Sequence, residues 1–149
     1  MRAVVQRVAT ASVLIDQKII SQICWGLLIL LGIEEQDNEK DIKYIVDKCV
    51  GLRIFNDEEG KFNKAITDKQ GEILLVSQFT LLGDCRKGRR PSFSRAYPAD
   101  GAESIFQKVV TEFEKTGIPI KTGKYRAHMQ VKSTNDGPVT LLLDSRKGF

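Results

Sequence analysis

The sequence contains one histidine and three cysteines, and these low numbers exclude several kinds of site. A metal centre built on several histidines cannot form around His128 alone. The cysteines match neither a CxxC redox pair nor a zinc ribbon, so we expect reduced thiols in a cytoplasmic protein: Cys24, Cys49 and Cys85. Walker, GxGxxG and HExxH motifs are also absent from the sequence. We therefore expect neither a metal nor a cofactor.

Long apolar runs are lacking as well. The longest run, 26–33, is much shorter than the roughly 20 residues that span a bilayer, and the opening residues 1–7 lack the apolar core of a signal peptide. No repeat, low-complexity tract or linker divides the chain. With 149 residues, 42% hydrophobic and 28% charged, the composition predicts one folded domain over 1–149 with no membrane role.

The net charge of +4 is unevenly distributed. The stretch 34–59 is acidic, whereas 84–95 holds five basic residues and one acid: Arg86, Lys87, Arg89, Arg90 and Arg95 against Asp84. Such a loop can bind an anion, although an ordinary solvated loop is the alternative.

Alternating and β-branched segments predict strands through the first third of the chain. They are Ala3–Val8, Ala11–Ile15 and Ile19–Ile23, with a hairpin turn at 16–18. The run Leu27–Leu31 does not alternate, which predicts a strand buried on both faces. Further strands are expected at Glu72–Ser77, Ile118–Lys121, Ala127–Lys132 and Val139–Leu143, the last two being joined by a turn at 133–138.

Two apolar stripes at three- and four-residue spacing predict helices. One is capped by Asp37 or Asn38 and ends near Gly51; the other follows Pro98 and ends at Gly117. Many strands with few crossovers favour a single α/β domain. We expect a mixed two-sheet, three-layer, barrel-like core with the two main helices on one face.

His128 is the only histidine available to a Ser-His or Cys-His dyad. Alternation along the expected strand places it on the face opposite Met129, towards solvent or a partner. An ordinary surface or structural histidine is therefore the favoured interpretation.

Two segments have a polar content that packing does not explain. In Ser77-Gln78-Phe79-Thr80-Leu81 a buried strand gives way to hydroxyl and amide side chains, where backbone N–H groups become free to bind a ligand oxygen. Asn135-Asp136-Gly137-Pro138-Val139-Thr140 is a turn sequence in which the proline can be cis. A plain strand end and a plain hairpin connection remain the alternatives.

These two segments, with 6–8, 26–32 and Arg90-Pro91-Ser92-Phe93-Ser94, resemble the D-aminoacyl-tRNA deacylase family in its bacterial form. The resemblance covers essentially the whole chain. It implies a homodimeric α/β enzyme that hydrolyses the ester joining a D-amino acid, or glycine, to the 3′-terminal adenosine of tRNA. Partners would be the acceptor end of aminoacyl-tRNA and a second copy, with no membrane and no DNA.

The resemblance also implies the site residues. The active-site floor is expected at Ser77, Gln78, Phe79 and Thr80. Substrate binding and chiral selection, supplied in trans by the partner, are expected from Gly137, Pro138 and Met129, the first two as a Gly-cisPro pair. The sequence departs from the family's usual phenylalanine, small residue and acid at three positions: Tyr125, Arg126 and His128.

A hydrolase without a histidine dyad needs another source of activation. We expect the vicinal 2′-hydroxyl of the tRNA to assist, while the backbone N–H groups of Phe79 and Thr80 hold the carbonyl oxygen. Thr80 as nucleophile is the alternative, although no base is evident beside it. The basic residues of 86–95 would contact tRNA phosphates. Two other functions remain open: a non-catalytic nucleic-acid-binding dimer that uses this basic loop, and a structural or regulatory dimer.

Overall fold

The computed structural model describes residues 1–148. The strands are β1 (Arg2–Ile15), β2 (Lys18–Ile23), β3 (Gly26–Gly32), β4 (Phe55–Asn56), β5 (Phe62–Lys64), β6 (Glu72–Ser77), β7 (Ile120–Thr122) and β8 (Gln130–Asp144). The helices are α1 (Glu39–Gly51), α2 (Ile66–Lys69) and α3 (Ala99–Glu114), with a 3-10 helix at Phe79–Leu82.

Six strands form the main sheet in the order β2-β1-β3-β6-β7, with β8 paired to β1, and β4 and β5 form a small second sheet. The pairs β3–β6 and β6–β7 are parallel, whereas β1 is antiparallel to β2, β3 and β8. This mixed α/β arrangement in one domain confirms the expected fold class, including the barrel-like main sheet.

Both faces of the sheet bury apolar side chains. One face packs against α1 and α3, where Phe106, Val109 and Phe113 meet sheet residues such as Leu27 and Ile29. The other face forms a smaller cluster that includes Val13, Leu28 and Leu74. Strand β3 contributes to both clusters, which confirms the prediction that the run Leu27–Leu31 is buried on both sides.

The helix predictions are correct in position. Asn38 caps α1 by accepting from the backbone N–H of Lys40 at 3.0 Å, while the Asp41 carboxylate accepts from the N–H of Asn38 at 3.0 Å. The apolar stripe of α1 is buried, as is that of α3. Sequence periodicity thus identified both faces that pack on the sheet.

Three strand predictions are wrong in their boundaries. The two segments predicted over 3–15 form one continuous strand β1, because β8 pairs along nearly its whole length. The predicted turn at 133–138 lies inside β8 for the same reason. Residues 127–129 precede β8 and are not in a strand. The hairpin β4–β5 was not predicted, because its strands are only two and three residues long.

Candidate active site

A cavity of about 690 Å³ opens at the carboxyl ends of the parallel strands β3, β6 and β7. In open α/β sheets this edge is the usual place for a ligand, because the strand ends diverge into loops there. One segment of the lining comes from the end of each strand. Ile33 follows β3, residues 77–79 begin at the last residue of β6, and residues 125–129 follow β7.

The floor is formed where β6 ends. Ser77, Gln78 and Phe79 line the cavity, and the backbone N–H of Gln78 donates to the carbonyl of Leu31 at 2.7 Å, which fixes this segment to β3. Thr80 lies outside the lining, and its hydroxyl accepts a hydrogen bond from the side-chain amide of Gln78. The structure therefore brings three of the four expected floor residues to the cavity.

One wall combines the end of β3 with the segment before α3. Tyr97 donates its backbone N–H to the carbonyl of Ile33 at 2.9 Å, and both residues line the cavity. Phe93 also lines it and packs edge-on against Phe79, with ring centroids 5.1 Å apart. Because Phe79 is 55% exposed, this aromatic pair stands at the mouth of the cavity.

Another part of the lining comes from residues 125–129, which together with Lys124 follow β7 and are here called the strap. The Tyr125 hydroxyl donates to the carbonyl of Ala99 at 3.1 Å, which ties the strap to the start of α3. The sulfur of Met129 packs closely over Gly123. A Cβ added to Gly123 would lie only 2.7 Å from that sulfur. Met129 was expected to act in trans with Gly137 and Pro138, but it lines the cavity of its own chain.

His128 is exposed, as the sequence predicted, and the adjacent Met129 is half-buried. Residues 127–129 are not in a strand, however, and both side chains line the cavity. The geometry therefore makes it a rim residue.

The basic loop, residues 84–95, follows the 3-10 helix. Asp84 and Ser92 exchange two backbone hydrogen bonds of 2.7 and 3.0 Å, which close its base. Two of the five cations have carboxylate partners: Arg86 binds Asp84 through Nε and Nη2 at 2.9 and 2.5 Å, and Arg95 binds Glu34 at 2.8 Å. The Arg86 guanidinium holds the pKa of the Asp84 carboxyl well below its usual value. The exposed cations left to meet a ligand are Lys87, Arg89 and Arg90.

Residues 136–139 form a loop that bulges from β8 opposite Arg7. Gln6 of β1 pairs with Thr140 of β8, and the next pair is Val8 with Asn135. Residues 136–139 of β8 therefore lie opposite the single residue Arg7 of β1. The Gly137-Pro138 peptide bond is cis. Asn135 spans the loop: its Oδ1 accepts from the N–H of Val139 at 2.7 Å, and its Nδ2 donates to the Val139 carbonyl at 3.2 Å.

The side chain of Arg7 in β1 also fixes this loop. Its guanidinium is buried and donates to the carbonyls of Asp136 at 2.9 Å and Ile54 at 2.6 Å. It also contacts the Asn56 side chain at 3.2 Å and lies 5.3 Å from the centre of the Phe62 ring. The main chain of the loop is therefore held from two sides, by Asn135 and by Arg7.

Gly137 and Pro138 do not belong to the cavity lining that residues 1–148 define. Neither do they approach it through their own strand, because β1 and β3 separate β8 from β6 in the sheet. In the same part of the chain, His, Cys, Asp and Glu side chains nowhere form a group of three that could hold a metal ion. No helix of residues 1–148 is long and apolar enough to cross a membrane.

The fold and the cavity define a small α/β protein with a ligand site at the carboxyl edge of parallel strands. The family model described as D-Tyr-tRNA(Tyr) deacylase matches residues 4–144. Curated proteins named D-aminoacyl-tRNA deacylase, from Kosmotoga olearia and Thermosipho africanus, are 54% and 52% identical over 149 residues, covering all of both chains. The chain therefore belongs to the D-Tyr-tRNA(Tyr) deacylase family, and this membership makes it an enzyme that removes the acyl group from aminoacyl-tRNA.

Solved structures share the fold. One named "c-Myc DNA Unwinding Element Binding Protein" has a TM-score of 0.91 and 45% identity, covering 97% of this chain and 98% of that chain. Another, named as a probable eukaryotic D-amino acid tRNA deacylase, has a TM-score of 0.78 over 95% of this chain. Because its identity is only 15%, it supports the fold alone.

The sequence analysis missed Arg7 and Tyr97 as parts of the site or its support. Arg7 stands in an alternating strand, and its contacts lie 47 and 129 residues away along the chain. One signal was available, since a basic side chain on the inward face of a buried strand requires partners.

Proposed function

We propose that this protein hydrolyses, in the cytoplasm and as a homodimer, the ester that joins a D-amino acid or glycine to the 3′-terminal adenosine of tRNA. The observation that carries the proposal is the cavity at the end of β6, whose floor is the segment Ser77–Phe79. Its volume of about 690 Å³ lies within the range of small-ligand sites and suits an aminoacyl nucleoside.

Catalysis in this proposal relies on the substrate's own 2′-hydroxyl and on the protein main chain. After β6, the N–H of Gln78 donates to the carbonyl of Leu31, and the N–H of Leu81 donates to the carbonyl of Gln78 at 3.3 Å. The N–H groups of Phe79 and Thr80 lie between these two and are assigned to the ester carbonyl oxygen. Positioning is worth about 7–11 kcal/mol and one oxyanion donor about 3–4 kcal/mol, which suffices without a protein nucleophile.

The Thr80 hydroxyl is poorly placed to be that nucleophile. It lies outside the lining, and its hydrogen bond comes from an amide N–H, which cannot accept its proton. A nucleophilic hydroxyl needs a general base within hydrogen-bond reach. We therefore assign Thr80 the role of orienting Gln78.

Chiral selection is assigned to the Gly137-Pro138 loop of a second subunit. Three strand spacings separate β8 from β6, and five residues along β1 separate Arg7 from Arg2, whose partner Gly32 precedes Ile33 in the cavity lining. With about 4.8 Å between strands and about 3.3 Å per residue, the loop is on the order of 20 Å from its own cavity. A loop held by Asn135 and Arg7 cannot yield, so an L side chain would collide with it whereas a D side chain would point away.

The acceptor end of tRNA is assigned to the exposed cations of the basic loop, Lys87, Arg89 and Arg90. Phosphate contacts of this kind fix the register of the RNA without reading its sequence. Arg86 and Arg95 are assigned to shaping the loop, because their guanidinium groups are bound to Asp84 and Glu34.

The test is release of tyrosine from D-tyrosyl-tRNA and L-tyrosyl-tRNA. We expect release from the D form alone, nearly unchanged rates for Thr80→Ala, and loss of chirality or rate for Gly137→Ala. Gly60→Ala is the matched control, because Gly60 also has a positive φ but its Cβ would meet nothing within 4 Å. A drop of several thousandfold for Thr80→Ala would refute assistance by the RNA.

A nucleic-acid-binding protein without hydrolytic activity is the second candidate. The name of the similar structure, c-Myc DNA Unwinding Element Binding Protein, and the exposed basic loop favour it. This candidate function assigns no role to the cavity or to the anchored loop of β8. Release of tyrosine from neither substrate, with binding of tRNA retained, would support this candidate or a structural dimer.

A further inference from the structure

An arginine and a histidine stand at the mouth of the cavity apart from the basic loop. Arg126 and His128 are exposed and line the cavity, whereas Lys124 on the same strap lies outside the lining. They follow β7, and the basic loop follows β6. The mouth therefore carries a second group of possible anion contacts on a different segment.

Arg126 holds a backbone conformation that disfavours a side chain. Its φ of 59° lies in the left-handed region, where Cβ crowds the following carbonyl. The side chain forms an ion pair with Asp100, but the two partners are 58% and 89% exposed, and pairs so exposed contribute little to stability. Stability thus gives no reason for an arginine at this position, and a strained residue at a cavity indicates a functional one.

The guanidinium is nevertheless held in place. Arg126 Nη1 donates to the Asp100 carboxylate, and the adjacent Tyr125 hydroxyl donates to the carbonyl of Ala99. Two neighbouring strap residues are thereby tied to the first turn of α3. Asp100 uses one N–H of a planar fork that carries several, so further N–H groups remain to bind an anion.

We propose that Arg126 and His128 form a rim that binds the phosphate groups on the 5′ side of the terminal nucleotide of tRNA. This inference rests on the proposed function, since it takes the cavity as the site of the esterified adenosine. The 5′ phosphate of that adenosine must leave through the mouth, where both side chains stand. A guanidinium fork and an imidazole N–H both donate to phosphate oxygens.

The test compares two substrates that share the same ester, D-tyrosyl-tRNA and D-tyrosyl-adenosine, of which only the first has phosphates. The variant is Arg126→Gly with His128→Ala; glycine is chosen because it retains the left-handed backbone. We expect KM for D-tyrosyl-tRNA to rise about tenfold with kcat within about twofold. The slope of log KM against log salt should fall by about 1, the contribution of one arginine–phosphate contact.

For D-tyrosyl-adenosine, the KM of the double variant should equal that of the parent protein. The control Lys124→Ala removes a cation from the strap outside the lining, and its KM for both substrates should be unchanged. A KM that rises equally for both substrates would show that the two residues only shape the cavity. A KM unchanged for D-tyrosyl-tRNA would show that they do not meet phosphate. Either result would refute the proposal that Arg126 and His128 bind phosphate.

Failure of the proposed function gives a different result, because the parent protein would then release tyrosine from neither substrate. In that case the rim is tested by binding of an uncharged RNA oligonucleotide ending in CCA. The double variant should bind it about tenfold more weakly than the parent protein and the Lys124→Ala control. Equal affinity of all three proteins overturns the rim.

Discussion

Replacing Arg7 by methionine should destabilise the protein and loosen the loop of residues 136–139. Methionine keeps an unbranched apolar stem of similar length, so the change removes the guanidinium while leaving little empty space. Three hydrogen bonds disappear with it: a buried one to the carbonyl of Ile54 at 2.6 Å, and partly buried ones to the carbonyl of Asp136 at 2.9 Å and to the Asn56 side chain at 3.2 Å. The ion pair with the Asp136 carboxylate disappears too, but that carboxylate is 46% exposed.

The expected destabilisation follows from these interactions. A hydrogen bond from a charged donor contributes about 1.5–3 kcal/mol, and its removal leaves a buried carbonyl unpaired. The exposed ion pair adds less than about 1 kcal/mol. We therefore expect the free energy of unfolding to fall by about 3–5 kcal/mol, and Tm by roughly 6–20 °C for a domain of this size.

Urea unfolding followed by fluorescence measures this destabilisation, since the single tryptophan, Trp25, packs 4.6 Å from the Phe55 ring. Arg53→Met is the matched control, because Arg53 is exposed, and its effect should stay within about 0.5 kcal/mol. A decrease below about 1 kcal/mol for Arg7→Met would show that the guanidinium does not anchor the loop.

Three further results are expected. A thiol reagent should modify Cys24 and Cys85 quickly in the native protein but Cys49 only after unfolding, because burial raises the pKa of the Cys49 thiol to about 12; three fast thiols would contradict this. Gly26→Ala should reduce the free energy of unfolding by more than about 3 kcal/mol, because the added Cβ would lie 1.9 Å from the carbonyl oxygen of Glu72. The control Gly51→Ala places its Cβ in open space on α1 and should be neutral or stabilising. Replacing the three exposed cations Lys87, Arg89 and Arg90 by alanine should lower the slope of log affinity for tRNA against log salt by about 2–3, and an unchanged slope would exclude phosphate contacts there.

The elements that the sequence predicted correctly are those whose pattern is local. Helices α1 and α3 have apolar residues at helical spacing and recognisable ends, and the unbroken apolar run of β3 indicates burial on both faces. The wrong boundaries arise where a partner strand decides the structure. Polar residues 133–138 predict a turn by themselves, yet pairing with β1 draws them into β8.

The candidate site was also predicted only in part, and the residues found correctly are again those with a local pattern. Residues 77–79 were predicted because a strand ends there in polar side chains, and the structure places them in the cavity. The partner of Arg95 could not be predicted, since Glu34 lies 61 residues away along the chain. Residues 127–129 were predicted to be in a strand, but pairing with β1 begins only at Gln130.

A chain with a single histidine can still support hydrolysis if the groups that act on the substrate belong to the main chain. The floor is set by the hydrogen bond from the Gln78 N–H to the Leu31 carbonyl, and the β8 loop is set by Asn135 and Arg7. Substitutions other than proline leave the backbone N–H and C=O groups in place, so the mutations with the largest effect should be those of the side chains that hold the backbone. Variants of Arg7 and Asn135, which touch no substrate atom of their own cavity, should therefore impair chiral selection more than Thr80→Ala does. The reverse order would place the chemistry on the Thr80 side chain.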